Sequence, residues 1–472
     1  MNSNASTVES KSKFIRMTTE PVEKLVLGLA GPSIAIMLVT ALYNMADTYF
    51  VSFLGTSQVA AVGIAFPFMT LIQATGFFFG MGSAIYISRA LGAQKTEDAS
   101  QMAVTGFLSG FFVMLTVAAA GLICLKPLVI FLGATETIKP FAQEYLLYIL
   151  CASPWMVASM VLNQQLRFQG SASIAMIGVL SGAVLNIFLD PLFIFVFGLG
   201  VSGAAIATML CQIMSMFILL FYGCTRMGNI PIKFKHFSPS LSRYMEIFRG
   251  GIPAFLRQGL LSVSTLFINH LAGAYGDAAI AAISIVNRIC MFANSAVLGF
   301  GQGFQPVCGF NFGAKLYSRV RRAFFFCLRF CSSILFIFSI LLAVFAPKII
   351  ALFRKDDLEV IAIGTRGLRL NCIALTFLAG IVMVNMLTQT MGRALESSIT
   401  SVSRQGLFLI PSLLILRPFL GLLGIQLAIP VADLASLIII IPIMIRVLKS
   451  LSVPDGKVEE AAPVVPIIVD TE

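Results

Sequence analysis

The chain alternates between long apolar stretches and short polar or glycine-rich breaks. Each apolar stretch reaches the roughly 20 residues that an α-helix needs to cross the hydrocarbon layer of a bilayer. The pattern predicts an all-α integral membrane protein. We place its twelve membrane-spanning helices at 25–48, 58–87, 102–124, 141–164, 172–197, 203–222, 251–273, 279–300, 323–346, 362–388, 398–420 and 424–446.

The composition supports this class of protein. Hydrophobic residues make up 58% of the 472 residues and charged residues only 11%, and the mean hydropathy is +0.94. Because soluble domains carry about 25% charged residues, we expect the outer surface to face membrane lipid. The segment 1–24 lacks an apolar core followed by a small-residue cleavage site, so we interpret it as a cytosolic tail rather than a signal peptide.

The net charge of +11 would suggest a nucleic-acid partner in a soluble protein. Here most lysines and arginines fall in loops on the side of the N-terminus, above all in the loop 223–250. Cytoplasmic loops of membrane proteins carry such an excess. We therefore expect both termini in the cytoplasm and no nucleic-acid partner.

Metal and disulfide chemistry are not expected. The nine cysteines are scattered, and the one close pair, Cys327 and Cys331, lies a single helical turn apart in an apolar stretch. There are only two histidines. Such spacing does not match a zinc site or a disulfide framework, so we predict no cofactor.

Landmarks of the first half recur in the second half at one constant offset in residue number. The matched pairs include Pro32 with Pro253, Ala60 with Ala281, Gly80 with Gly301, Gly82 with Gly303, Gly92 with Gly313 and Gly203 with Gly424. One offset that aligns this many landmarks indicates a duplicated bundle. Since each unit holds an even number of spans, both units enter the membrane in the same direction, and the repeat is of the parallel type.

The repeat divides the chain into five segments. We predict a cytoplasmic N-terminal tail (1–24), a first lobe of six helices (25–222), a cytoplasmic linker (223–250), a second lobe of six helices (251–446) and a cytoplasmic C-terminal tail (447–472). In transporters built from repeats, the site lies between the lobes or inside one of them.

Two acids lie within first-lobe spans, Asp47 late in the first and Asp190 in the fifth. A charged side chain inside a membrane costs about 2.5–3.5 kcal/mol on insertion scales, so such residues usually serve a function. Their counterparts in the repeat are Ile268 and Pro411. We therefore predict an acid site in the first lobe only, the alternative being polar residues near the lipid headgroups.

Polar neighbours accompany both acids. Asn186 precedes Asp190 by four residues and therefore lies on the same helix face. Tyr43 and Asn44 lie one turn before Asp47. If the two acids share a cavity, the titration of each depends on the charge of the other, and the pair is expected to bind a proton or a sodium ion.

Prolines weaken two of these helices. Pro191 and Pro32 each remove a backbone hydrogen bond from a span. A carboxylate beside a weakened helix can act as a switch, because protonation or cation binding changes the local charge and so the preferred packing.

Other polar groups within spans leave alternatives open. Arg257 and Arg288, together with Tyr43 and Asn44, are candidates for a cavity lining or a gate. The two arginines could instead extend to a membrane interface. The role of Asp433 in the last span stays open. Gln164, Gln165 and Thr208 are of the type that bridges neighbouring helices.

The motifs of the first lobe closely resemble the MATE family of multidrug and toxic-compound extrusion transporters, in particular its DinF-like branch. These motifs are Leu42-Tyr-Asn-Met-Ala-Asp47, Ala60-Ala-Val-Gly63, Gly80-Met-Gly-Ser-Ala-Ile85 and Leu185-Asn-Ile-Phe-Leu-Asp190-Pro-Leu-Phe-Ile194. Gly250-Gly-Ile-Pro253 and Asn287-Arg288 resemble the family's second lobe.

The resemblance implies two six-helix lobes forming a V in a prokaryotic inner membrane. It implies antiport of organic, often cationic, compounds against H+ or Na+, with a contribution to antibiotic resistance and without a catalytic site. We expect the protein to be a monomer. The resemblance assigns the coupling ion to Asp47, Asn186, Asp190 and Thr208, with no other metal, and helix bending to Pro32.

Departures from the family and rival functions remain. One branch has acids in spans seven and ten, where this chain offers Arg257, Gln258, Asn371 and Asn385; a second-lobe cation site is therefore not expected. A flippase for lipid-linked saccharides would need a strongly basic cavity. An intramembrane enzyme would need a catalytic pair, and a receptor would need no duplication.

Overall fold

The computed structural model describes residues 12–225, 230, 233–353 and 357–455, apart from a few side chains such as that of Asn44. The outer parts of both predicted tails and part of the linker lie outside these residues. In the described part of the chain, twelve helices are long and apolar enough to cross a membrane, as predicted. They are α1 Val22–Ser52, α2 Thr56–Gly92, α3 Thr96–Ile123, α4 Lys139–Phe168, α5 Ala172–Pro191, α6 Gly200–Cys224, α7 Leu241–Gly273, α8 Asp277–Gly313, α9 Tyr317–Phe353, α10 Leu358–Thr390, α11 Ala394–Leu420 and α12 Leu422–Ser450.

The two lobes have the same internal plan. In the first lobe α4 packs against α2, α3 and α6, and in the second α10 packs against α8, α9 and α12. Between the lobes, α1 packs against α8 and α2 packs against α7. The repeat relates α1 to α7 and α2 to α8, so it converts one of these contacts into the other. The structure therefore confirms a fold of two six-helix lobes related by a parallel internal repeat.

The turns that end α2 and α8 repeat each other in detail. Gln94 and Lys315, which are equivalent positions of the repeat, both have a φ of 59°. The amide of Ala93 donates to the carbonyl of Arg89 at 3.0 Å, and the amide of Ala314 donates to that of Phe310 at 2.9 Å. Because residues other than glycine seldom adopt positive φ, this shared backbone shape is strong evidence of duplication.

A buried asparagine holds the same two helices together in each lobe. Asn163 donates its amide to the carbonyl of Ala175 at 3.0 Å, joining α4 to α5. Asn385 donates to the carbonyl of Ser397 at 2.9 Å, joining α10 to α11. The offset between Asn163 and Asn385 is one residue longer than the offset of Gly92 and Gly313 before them and of Gly203 and Gly424 after them. The second lobe therefore carries one extra residue locally, and the original register returns further along the chain.

The helices extend beyond the predicted spans at their polar ends. α7 begins at Leu241, inside the predicted linker, and the Ser240 hydroxyl accepts a bond from the amide of Arg243 there. Such a side-chain acceptor stabilises the first turn of a helix. The extension carries Arg243, Glu246 and Arg249, which explains why an apolar pattern alone did not include it.

Helix irregularities lie close to prolines. α5 changes into a π-helical turn, Leu192–Val196, directly after Pro191, in line with the weak point expected there. In α11 a π-helical turn, Ser403–Leu409, comes shortly before Pro411. α1 runs through Pro32 as one helix.

Candidate functional site

The amide and the carboxylate of α5 lie on one helix face, as their spacing predicts. Asn186 is 2% exposed and Asp190 is fully buried. The Nδ2 of Asn186 donates to the Oδ1 of Asp190 at 2.9 Å. The amide therefore fixes one oxygen of the carboxylate.

Asp47 lies on α1, which packs against α5. It lies within range for its charge to act on Asp190 across the contact of the two helices. Tyr43, one turn earlier on α1, lies close to both carboxylates. The side chain of Asn44 lies outside the described part of the structure.

Three buried oxygens of this cluster have no hydrogen-bond partner in the described part of the chain. They are the Oδ1 of Asp47, the Oδ1 of Asn186 and the Oδ2 of Asp190. Buried polar atoms normally have partners. A set of unpaired acceptor oxygens on neighbouring helices has the chemistry to hold a proton or a hard cation.

Two further residues surround the acids that sequence reasoning did not identify. Tyr145 of α4 is buried near both carboxylates, and its hydroxyl has a weak contact of 3.7 Å with the sulfur of Met69. Cys211 of α6 lies beside Asn186 and Asp190. Thr208 is buried one turn before Cys211, hence on the same face of α6.

Cys211 could have been found from its spacing to Thr208, since residues three apart share a helix face. Tyr145 had no local signal, because its position depends on how α4 packs against the other helices.

The remaining predicted residues lie outside this cluster. Arg257 of α7 donates to the Oδ1 of Asn385 on α10 at 3.1 Å, within the second lobe. Arg288 is exposed on α8. Pro32 lies in the half of α1 that packs against α8, away from Asp47.

Asp433, whose role the sequence left open, has a partner. Its Oδ1 lies 2.6 Å from the Nε of Arg404, and its Oδ2 accepts from the Nη2 of the same guanidinium at 3.3 Å. Arg404 belongs to the π-helical turn of α11, and Asp433 is 1% exposed on α12. This two-pronged geometry is the favourable one for arginine and carboxylate.

The second lobe has an uncharged cavity at the position equivalent to the acid cluster. Ile268 and Ile429, the counterparts of Asp47 and Thr208, line it together with Asn287, Asn371 and Gln426. Its volume of about 20 Å³ is enough for one water molecule. No carboxylate is among its described lining residues.

The acid cluster offers oxygen ligands only. Within the described residues no group of three or more His, Cys, Asp or Glu side chains converges. Two carboxylates and one amide oxygen are ligands for a hard cation or a proton.

Comparison with known proteins gives a consistent result. The chain is 28% identical to the multidrug export protein MepA of Staphylococcus saprophyticus over 420 residues, covering 85% of this chain and 90% of that protein. It is 27% identical to MepA of Staphylococcus aureus strain MW2 over 426 residues, covering 89% and 94%.

Solved structures agree in fold. An outward-facing multidrug resistance MATE transporter matches with a TM-score of 0.87 at 27% identity, covering 92% of this chain and 98% of that one. A MATE protein in a bent conformation matches with a TM-score of 0.86 at 27% identity, covering 93% and 98%.

Two repeated six-helix lobes, with a buried acid cluster in one of them, define a multi-pass membrane transporter and not an enzyme. The MatE family model matches residues 32–192 and 253–414, two stretches that begin at the equivalent prolines of the repeat, Pro32 and Pro253. The chain therefore belongs to the MATE family, as its motifs indicated.

Proposed function

We propose that the chain is a cation-coupled multidrug efflux transporter. It exports cationic or amphipathic organic compounds in exchange for H+ or Na+. The coupling ion binds at Asp47, Asn186 and Asp190, with Thr208 beside them. The names of the relatives, multidrug export proteins, support the substrate class.

The observation that carries the coupling role is the set of three unpaired oxygens in the first lobe. A carboxylate cluster with unpaired acceptors inside a membrane is costly when empty and charged. Binding of a cation or a proton removes that cost. Since the second lobe offers only amides at the equivalent cavity, the coupling function rests on the first lobe.

The pair of lobes also supports a transport cycle. α1 carries both Asp47 and Pro32, so a change of charge at the acid acts on a helix that lacks one backbone hydrogen bond. Relatives of this fold have been captured in a bent and in a straight conformation. We propose that α1 of this chain bends at Pro32 when the ion binds.

We place the protein in a prokaryotic inner membrane as a monomer, with both termini and the linker 223–250 in the cytoplasm. The first lobe spans 25–222 and the second 251–446. The excess of lysine and arginine on the side of the N-terminus supports this orientation.

The test is ethidium efflux from vesicles, with sodium and pH gradients imposed separately on the unmodified chain and on Asp190→Asn. The substitution keeps the shape and removes the ionisable group, so gradient-driven efflux should be abolished. Glu97→Gln, at an exposed acid at the start of α3, is the matched control and should retain efflux. Full gradient-driven efflux by Asp190→Asn would refute the coupling role.

A further inference from the structure

The ends of α2 and α8 touch through a reciprocal contact of two glycines. A Cβ placed on Gly92 would lie 2.8 Å from the carbonyl carbon of Phe310, and a Cβ placed on Gly313 would lie 2.9 Å from that of Arg89. The internal repeat relates Gly92 to Gly313 and Arg89 to Phe310, so it converts one contact into the other. Real Cβ atoms do not approach backbone so closely, so this contact between the lobes needs glycine on both sides.

Further small residues continue this contact along the two helices. Gly309 of α8 faces the hydroxyl of Ser88 on α2. A Cβ on Gly303 of α8 would lie 2.5 Å from the Cα of Ala30 on α1, and one on Gly250 of α7 would lie 3.0 Å from the Cα of Gly82 on α2. We call this line of close backbone contacts between the lobes the glycine seam.

Charged residues join the lobes at the outer edge of the seam. Arg89 of α2 pairs with Glu246 of α7 at 2.8 Å, and each side chain keeps about a fifth of its surface exposed. Arg322 of α9 pairs with Glu23 of α1, also at 2.8 Å. Both pairs connect one lobe with the other.

A buried arginine joins the lobes deeper in the same interface. Arg167 of α4 is fully buried and donates to the Oε1 of Gln302 on α8 and to Gln164 on its own helix. Its Nε has no partner within the described residues. A buried guanidinium with only amide partners is costly, so separation of the lobes and hydration of Arg167 would relieve that cost.

All these contacts lie in one half of the bundle, where α1 and α7 begin and α2 and α8 end. Asp47 lies several helical turns further along α1 than Ala30 and Ile34, which form the contacts of that helix with glycines of α8. The acid cluster therefore sits away from the closed half of the interface.

We propose that the glycine seam, with its ion pairs, is the closed gate of the transport pathway on the side of the termini. The size of the side chains at positions 92 and 313 then decides whether the two lobes can close on each other at the seam. The assignment rests on the proposed transport function, because a gate needs a pathway that opens alternately to the two sides.

Labelling of a cysteine in the seam tests the gate without substrate or ion gradient. Ser88, which is fully buried against Gly309, is replaced by cysteine in a variant lacking the native cysteines, and its rate of reaction with a maleimide is measured in nanodiscs. Gly92→Ala and Gly313→Ala should each raise this rate by about tenfold or more, because overlap with backbone disfavours the closed state.

Gly63→Ala is the matched control. Gly63 lies on α2 as well, but a Cβ there would meet nothing within 4 Å, so the labelling rate should not change. Unchanged labelling in both Gly92→Ala and Gly313→Ala would overturn the assignment. Since the assay involves no transport, a failure of the coupling proposal would leave its result intact.

A charge exchange covers the case in which the alanine variants do not fold. Arg89→Glu and Glu246→Arg should each raise the labelling rate by placing like charges together, and the double exchange should bring it back towards that of the parent. An equally raised rate in the double variant would contradict a gating role for this pair.

Discussion

Asn186 holds the Oδ1 of Asp190 at 2.9 Å from one turn away, while the Oδ2 of the same carboxylate has no partner in the described structure. One oxygen is thus positioned by α5 itself, and the other is free for a cation. The amide acts as a support for the acid as well as offering its own unpaired oxygen.

Asn186→Leu should therefore lower the apparent affinity for the coupling cation by roughly tenfold or more, since a hydrogen bond to a charged group contributes about 1.5–3 kcal/mol. The measurement is the cation concentration that gives half-maximal efflux. Asn371→Leu is the control, because Asn371 is also a buried amide but lies in the uncharged cavity of the second lobe. Equal effects of the two substitutions would point to a general loss of packing.

The two acids should titrate as a coupled pair. Asp47 and Asp190 interact through their charges, so replacing either with Asn should move the pH profile of efflux or ion binding that remains. The double variant should lose little more efflux or ion binding than the more impaired of the two single variants. Additive losses without any movement of the profiles would show that the acids act at separate sites.

The ion pair of the second lobe should contribute to stability rather than to coupling. Asp433→Asn leaves Arg404 without its carboxylate, which should cost on the order of 3 kcal/mol, because removing one partner of a buried pair leaves an uncompensated charge. Thermal unfolding in detergent measures this cost. The double variant Arg404→Met with Asp433→Leu should recover most of the lost stability. Efflux by the single variant and by the double variant should keep the cation dependence of the unmodified chain.

Orientation in the membrane gives another test. Tags at either terminus and in the linker 223–250 should be protected from impermeant reagents in intact cells and become reactive after permeabilisation. A tag fused to the loop after α11, near Gly421, should show the opposite behaviour. Labelling of the linker from outside the cell would show that the orientation is the reverse of the one proposed.

The twelve spans could be predicted because burial in lipid requires apolar residues along the whole length of each helix. Their ends could not, because helices continue into water wherever polar residues cap and pair them. Leu241 to Arg249 is the clearest case, since α7 there is held by the Ser240 cap and by the pair of Arg89 and Glu246.

The same limit applies to the candidate site: contacts within one helix could be predicted from the sequence, and contacts between helices could not. The contact of Asn186 with Asp190 is set by spacing within one helix and was predicted from the sequence. The pairing of Asp433 with Arg404 joins two helices, and Arg404 reaches α12 from within the π-helical turn of α11. Neither the turn nor the direction of that side chain can be read from the periodicity of apolar residues.

The neutral pair of Arg404 and Asp433 limits the electrical behaviour of the carrier. Because these two charges cancel, the pair adds no net charge to the second lobe. Under the proposed coupling, the ion bound at Asp47 and Asp190 is then the charge that moves through the membrane field. On the same proposal, two carboxylates would set a ceiling of two monovalent ions per cycle. Exchange of one ion for a monovalent drug would carry no current, whereas exchange of two would carry one positive charge inward, so membrane voltage would drive export only in the second case.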